Sequence, residues 1–362
     1  MKRTLLIFIL SLILKNGFSQ GCVAIRSNGN TCSMASHKEE KKGWELNLNN
    51  RYFKSYKHFV GTAEQKQRVD SGTQVINHAY SLDITLTRNL NSRWSLAITV
   101  PVISNTRSSK YEHYGNGSKS PNARRNTHAF GLGDIKFAAY RWMFDSARSS
   151  KGNLQLGLGL KLATGNYNVQ DYFYKNDTTI TYGPVDQSIQ LGDGGTGITV
   201  EAKGYYNFNH KIGVYGDVYY LINPAEQNGT LTTRGGTVSA SALKYFTNTM
   251  SIPDQYMARV GANYTANKFT VSAGVRIEGI PSSDLIGGDK GFRRPGYVIS
   301  AEPVASYTVK RTQFYVSIPV ALERNRTQSN ADKLQSAATG TKVQGDAAFA
   351  DYLVNVGCTF RF

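Results

Sequence analysis

The side chains most able to do chemistry in this sequence are few and scattered. Its six histidines, His37, His58, His78, His113, His128 and His210, include no pair at the spacing of metal ligands. No Gly-x-Ser-x-Gly elbow and no Walker-type loop occurs. Gly131–Lys136 (GLGDIK) has the glycines of a phosphate cradle, but no helical pattern follows to lend it an N-terminus. A membrane hydrolase would need His78 or His128 beside a serine at an external rim. With no motif to assemble such a pair, the sequence points away from an enzyme, from a metal and from a cofactor.

What the sequence does supply is charge at alternate positions. Lys161, Glu201, Lys203, Asp217, Arg259, Arg276, Glu278, Glu302, Glu323 and Arg361 lie between apolar residues, on the opposite face of strand-like runs. Facing one another inside a closed sheet, such groups would neutralise each other and brace the wall, or line a polar path. A uniformly basic set would have suited acidic sugars or nucleotides, and this one is mixed. Asp217 is expected across from Glu201 or Lys203. A two-residue turn at Ala266–Asn267 would set Arg259 opposite Gly274, and Glu278 shares a face with Arg276.

The elements that must hold these charges are strands. In Asp351–Phe362 (DYLVNVGCTFRF) the apolar face runs Tyr352, Val354, Val356, Cys358, Phe360, Phe362, with Asp351, Asn355, Thr359 and Arg361 opposite. An aromatic at each end of a greasy face suits a strand crossing an outer membrane. The final Phe362 resembles the assembly signal read by the barrel-assembly machinery of Gram-negative bacteria. Eleven earlier segments from Trp44 onward repeat the pattern, most cleanly Leu154–Leu162 and least cleanly residues 128–144. Short turns follow the even-numbered segments and long Gly-, Ser-, Asn- and Thr-rich loops the odd-numbered ones. The expected fold is therefore all-β: a transmembrane antiparallel barrel of about 12 strands over residues 44–362, with short periplasmic turns and long external loops. At that size a narrow lumen is expected.

Composition is compatible with this plan. The chain has 362 residues, is 40% hydrophobic, and carries 22 Tyr and 16 Phe. Beyond the N-terminus no apolar run reaches the roughly 18 residues of a membrane helix. The formal net charge of +17 comes without a basic helix or zinc-finger spacing, which argues against nucleic acid. Contact with anionic outer-membrane lipid and lipopolysaccharide is the expected use of that charge. Residues 1–19 read as a secretory signal peptide, with a basic start and an apolar core at Leu5–Leu14. Residues 20–43 would then be a periplasmic arm or a plug. In an oxidising compartment Cys22 and Cys32 could bridge a short loop, while acylation of Cys22 stays open as an alternative.

Several segments together resemble a family of outer-membrane barrels named for a phenol-degradation (MetA) pathway. The carriers are GLGDIKFAAYRW (Gly131–Trp142), GLGLKLATGNY (Gly157–Tyr167), LGDGGTG (Leu191–Gly197), DQYMARVG (Asp254–Gly261), GFRRPGYVISAEP (Gly291–Pro303) and VALERNR (Val320–Arg326). Ala163 stands where the family pattern has Pro. The resemblance implies a barrel distantly similar to fatty-acid and aromatic-hydrocarbon importers, passing small and hydrophobic compounds. It carries over no substrate-binding residue. The loop residues Phe292, Arg293 and Arg294 are external candidates, for a partner or for lipid headgroups. A passive transporter or channel is thus expected, against the alternatives of a surface protein binding through its loops and a membrane hydrolase.

Overall fold

Residues whose side chains alternate between greasy and polar can satisfy both lipid and their own backbone only by closing a sheet on itself. The computed structural model, which describes residues 42–113, 116–145, 149 and 151–362, does this with twelve strands. In chain order they are β1 (Gly43–Val60), β2 (Ile76–Asn89), β3 (Trp94–Lys110), β4 (Arg124–Leu132 and Lys136–Trp142), β5 (Gly152–Lys161) and β6 (Gly197–Asn207). Then come β7 (Ile212–Ile222), β8 (Gln255–Ala266), β9 (Phe269–Ile280), β10 (Gly296–Val309), β11 (Thr312–Ser317 and Val320–Asn325) and β12 (Ala347–Arg361). Each pairs antiparallel with its neighbours in sequence, and β12 closes on β1 from Glu45↔Arg361 to Phe59↔Ala347. Trp44 and Phe362 exchange both backbone hydrogen bonds, at 2.7 and 2.9 Å, to finish the seam. The signal-peptide reading, Cys22, Cys32 and the arm or plug up to residue 41 lie outside the described residues.

The outer face is an apolar belt. Leu96, Leu158, Val260 and Val271 are among its exposed side chains. Aromatics bound it on both sides: Trp44, Trp94, Phe208, Tyr264, Phe269 and Phe360 near the short turns, Tyr52, Tyr80, Tyr256 and Tyr352 toward the long loops. Trp44 and Tyr52 are eight positions apart on β1, about 26 Å along a strand, the span of a barrel's lipid-facing band. At the short-turn rim Arg88 lies over Trp44 and Arg141 over Trp94, with 4.9 and 5.4 Å to the rings. No helix among the described residues is long and apolar enough to cross a membrane.

Two strands are interrupted, each for a local reason. In β4 the break at Gly133–Ile135 turns the Asp134 carboxylate inward, where it accepts the backbone N–H of Gly165 at 2.9 Å and of Asp193 at 3.2 Å. That explains why residues 128–144 alternate poorly. In β11 the break falls at Ile318–Pro319, since proline donates no ladder hydrogen bond.

The β8–β9 hairpin turns at Asn267–Lys268, with Ala266 paired to Phe269. Asn267 has φ 53°, the left-handed conformation such a turn demands and asparagine tolerates. Moving the turn one place from Ala266–Asn267 sets Arg259 across from Arg276, and Gly261 across from Gly274. The expected Arg259–Gly274 pairing is thereby corrected. Lys203 does face Asp217.

Candidate functional site

Among the described residues the barrel interior holds a cluster of buried charges on one side and cavities on the other. Strands β7 to β11 bring five charges together. Arg259 binds Asp217 through Nε and lies 3.5 Å from Glu302; Arg276 lies 3.7 Å from Glu302 and 2.8 Å from Glu278. Glu302 also accepts the Ser317 hydroxyl at 2.7 Å. All five are buried. Groups this dry must be paired, and here two guanidiniums are shared among three carboxylates, tying β7 to β10 together inside the wall. Tyr215 and Tyr315 pack beside it, both buried, with Tyr315 hydroxyl-bonded to Asn49 at 3.2 Å.

Three cavities lie against the β1 to β6 side, with ends of β7, β8, β9 and β12 and the loops completing their walls, ordered from the long-loop end inward as β1 descends from His58 through Arg51 to Asn47. The outermost, about 360 Å³, lies between His58, Arg68, Arg107, Arg294 and Asp346. The middle chamber, about 160 Å³, has Arg51, Phe53, Lys136, Lys161, Leu191 and Arg294 in its wall. The innermost, about 30 Å³, reaches Asn47, Thr99, Tyr140 and Glu201. Neighbouring cavities share walls: Ser188 and Arg294 separate the first two, Asp134 and Lys136 the second two.

Each septum is built from ion pairs. At the outer one, Asp186 of the β5–β6 loop accepts both Arg294 nitrogens at 2.8 and 2.7 Å and Arg234 at 2.9 Å, with Arg107 at 3.8 Å. Glu112 ties Arg107 and Arg234 from behind, at 3.4 and 3.2 Å. One carboxylate thus joins β3 to the loops after β5, β7 and β9. Burial alone would raise the Asp186 carboxyl, but the charges of Arg107, Arg294 and Arg234 outweigh it and hold it well below the usual range. Nearby, Asp346 accepts from His58 Nδ1 at 2.8 Å and pairs with Arg68. There too burial pushes upward, and His58, Arg68 and Arg294 win, holding the carboxyl at about 2.

The inner septum gathers three of the glycine-rich segments. Lys161 pairs with Asp193 and lies 3.6 Å from Asp134. Thr164 bonds across the break in β4, donating to Gly133 and accepting from Ile135 N–H at 2.8 Å. GLGDIK, the LATG turn and LGDGG therefore meet at one point, as a structural clasp rather than a phosphate cradle. Below it Glu201 pairs with Lys203 at 3.1 Å and accepts the Tyr140 hydroxyl at 3.1 Å.

Of the charges read from alternation, Lys161, Glu201, Lys203, Asp217, Arg259, Arg276, Glu278 and Glu302 lie inside the barrel; Arg361 pairs with Glu45 at 2.9 Å near the short-turn end. Glu323 departs from the expectation. The register shifts between Ile299 and Ser300, so Glu323 pairs with Ile299 on the outer face and accepts the Tyr297 hydroxyl at 2.5 Å. Of the external candidates, Arg293 and Arg294 turn inward. Arg293 is buried in a two-bond pair with Asp284 at 2.8 and 2.7 Å, and Arg294 crosses Phe292 at 4.7 Å on its way to Asp186. Both guanidiniums are thus engaged by carboxylates within the loop cap. His78 bonds the Tyr52 hydroxyl and His128 the Thr106 hydroxyl; among the described residues neither meets a serine. No cluster of metal-binding side chains occurs among the described residues.

Strand parity could also have found Arg51 and Asp83, which lie 3.7 Å apart on inward positions of β1 and β2. Asp134, Asp186 and Arg234 carry no periodic signal, because they sit in a strand break and in loops.

A closed twelve-stranded antiparallel barrel with a lipid-type belt and a loop-capped interior belongs to the outer-membrane barrel class. Among solved structures, an outer membrane channel from Pseudomonas putida F1 superposes with a TM-score of 0.55 at 13% identity, covering 90% of this chain and 98% of that one. The translocator domain of autotransporter NalP from Neisseria meningitidis gives 0.46 at 14% identity, covering 88% of each. A Pseudomonas aeruginosa FadL homologue gives 0.43 at 10% identity, covering 95% and 99%. The first shares the fold; the other two lie too far for anything to be carried. No protein-family model matches the chain, and no curated protein does.

Proposed function

We propose that this protein is a passive outer-membrane channel for small solutes, with its long loops outside the cell and its short turns in the periplasm. The observation carrying this reading is the run of three cavities along one half of the barrel, each sharing a wall of side chains with the next. The septa are side chains and loops, which can move, rather than barrel wall, which cannot. The solute is small because the middle chamber is. The resemblance to phenol-pathway barrels supports the same reading and adds an aromatic or hydrophobic body. The apolar belt suits the outer membrane of a Gram-negative bacterium as the protein's surroundings, and Arg88 and Arg141 suit anionic lipid headgroups at the periplasmic rim.

The test is conductance of the refolded full-length protein in planar bilayers. Discrete current steps, small beside those of open porins, are expected. Silence over the accessible voltage range, from protein shown to be folded, would favour the surface-binding alternative.

A further inference from the structure

We infer that the middle chamber binds a small organic monoanion whose body is a single ring or short apolar chain; this rests on the channel reading above and names its substrate class. Size is the first reason. At about 160 Å³, the chamber matches the roughly 150 Å³ cavity that admits benzene in a protein core.

The wall is the second. Phe53, Leu191, Leu221, Met250 and Ile280 offer apolar surface to the body of such a solute. Charge is the third. Arg51, Lys136, Lys161, Arg293 and Arg294 face the same space, against only Asp134 and Asp193. The carboxylates that hold Arg51, Arg293 and Arg294, namely Asp83, Asp284 and Asp186, stand behind them and outside the chamber wall. The wall therefore presents donors.

The excess continues outward, where the outer cavity sets Arg68, Arg107 and Arg294 against Asp346 alone. A solute from the long-loop side meets a positive field first and apolar surface second, which draws anions and repels cations. A carboxylate gains charge-assisted hydrogen bonds there that a neutral ring cannot make. Lys136 is placed to receive it, because it lines both the chamber and the cavity below.

Equilibrium titration of the folded, full-length protein with three probes of one shape tests this: benzoate, benzamide and benzylammonium. The expected order puts benzoate about tenfold or more ahead of benzamide, the worth of one charge-assisted bond, with benzylammonium weakest. Lys136→Gln should shrink the benzoate-to-benzamide ratio about tenfold, and Arg51→Gln serves where that variant does not fold. Benzamide binding as tightly as benzoate, or a ratio unmoved in the folded variant, overturns the inference. So does absence of binding by all three. Bilayer conductance is read separately, so a silent channel that still ranks benzoate first removes the transport reading and leaves the site.

Discussion

Tyr315 lies directly across the ladder from Gly357, and a Cβ built on that glycine would come within 2.4 Å of the tyrosine ring. The same arrangement recurs at Tyr215 over Gly261 and Tyr140 over Gly157, each a cross-strand pair. An inward tyrosine is thus laid flat along the wall wherever its neighbour lacks a side chain. Gly357→Ala must push Tyr315 off Asn47 and Asn49, at a cost of about 1–3 kcal/mol. Urea unfolding followed by loss of the heat-modifiable band on gels should show that drop. Tyr315→Leu in the same background should recover part of it.

The buried cluster makes a stronger demand. Asp217→Asn leaves Arg259 with less than its full complement of charge, and breaking a buried pair costs about 3–5 kcal/mol. The expected result is a barrel that refolds with a much lower urea midpoint, or not at all. Neutralising both partners together, as Asp217→Asn with Arg259→Met, should cost less than the first change alone.

Asp186 holds the outer septum, so Asp186→Asn should loosen it while leaving the strand ladder intact. Larger current steps and faster proteolysis within the loops after β5, β7 and β9 are expected. An unchanged conductance in a folded variant would mean that these loops do not limit passage.

Acid should act on the same septum. Asp186 and Asp346 both have carboxyls depressed by neighbouring cations. A depressed acid stabilises the folded loops fully above its ordinary range, near pH 4, and that contribution is lost as pH falls through its folded value. For Asp346 the window is from about pH 4 down to about 2; Asp186 shifts in the same direction. Loop proteolysis should therefore accelerate across that window while the barrel stays heat-modifiable. No change on descending from pH 4 to 2 would contradict the assigned pairs.

Asn267 tests the corrected hairpin. With φ 53°, Asn267→Val should destabilise by about 1–2 kcal/mol, while Asn267→Gly should be near neutral.

How much of this was readable in the sequence depends on what carries the signal. Strand positions were legible because lipid forces an alternation that polar solvent does not. Parity narrows the partner of Asp217 to Glu201 or Lys203, and the register selects Lys203. The turn lies one residue further on than expected, which moves the partner of Arg259 by two, since nothing in Ala-Asn-Lys says which two residues make the turn. Glu323 was misplaced because a register shift reverses faces silently. The septa were not legible at all: Asp134, Asp186 and Arg294 find their partners through loop packing, and loops have no period.

The central claim is that solute passes along β1 to β6 and not through the charged half. Two single cysteines decide this, in a background with Cys22, Cys32 and Cys358 changed to serine: Ser81→Cys in the chamber wall and Ser272→Cys on β9. Current through each is recorded before and after a small charged thiol reagent. The account predicts a block at Ser81→Cys and none at Ser272→Cys. A block at Ser272→Cys, with Ser81→Cys unaffected, would contradict it.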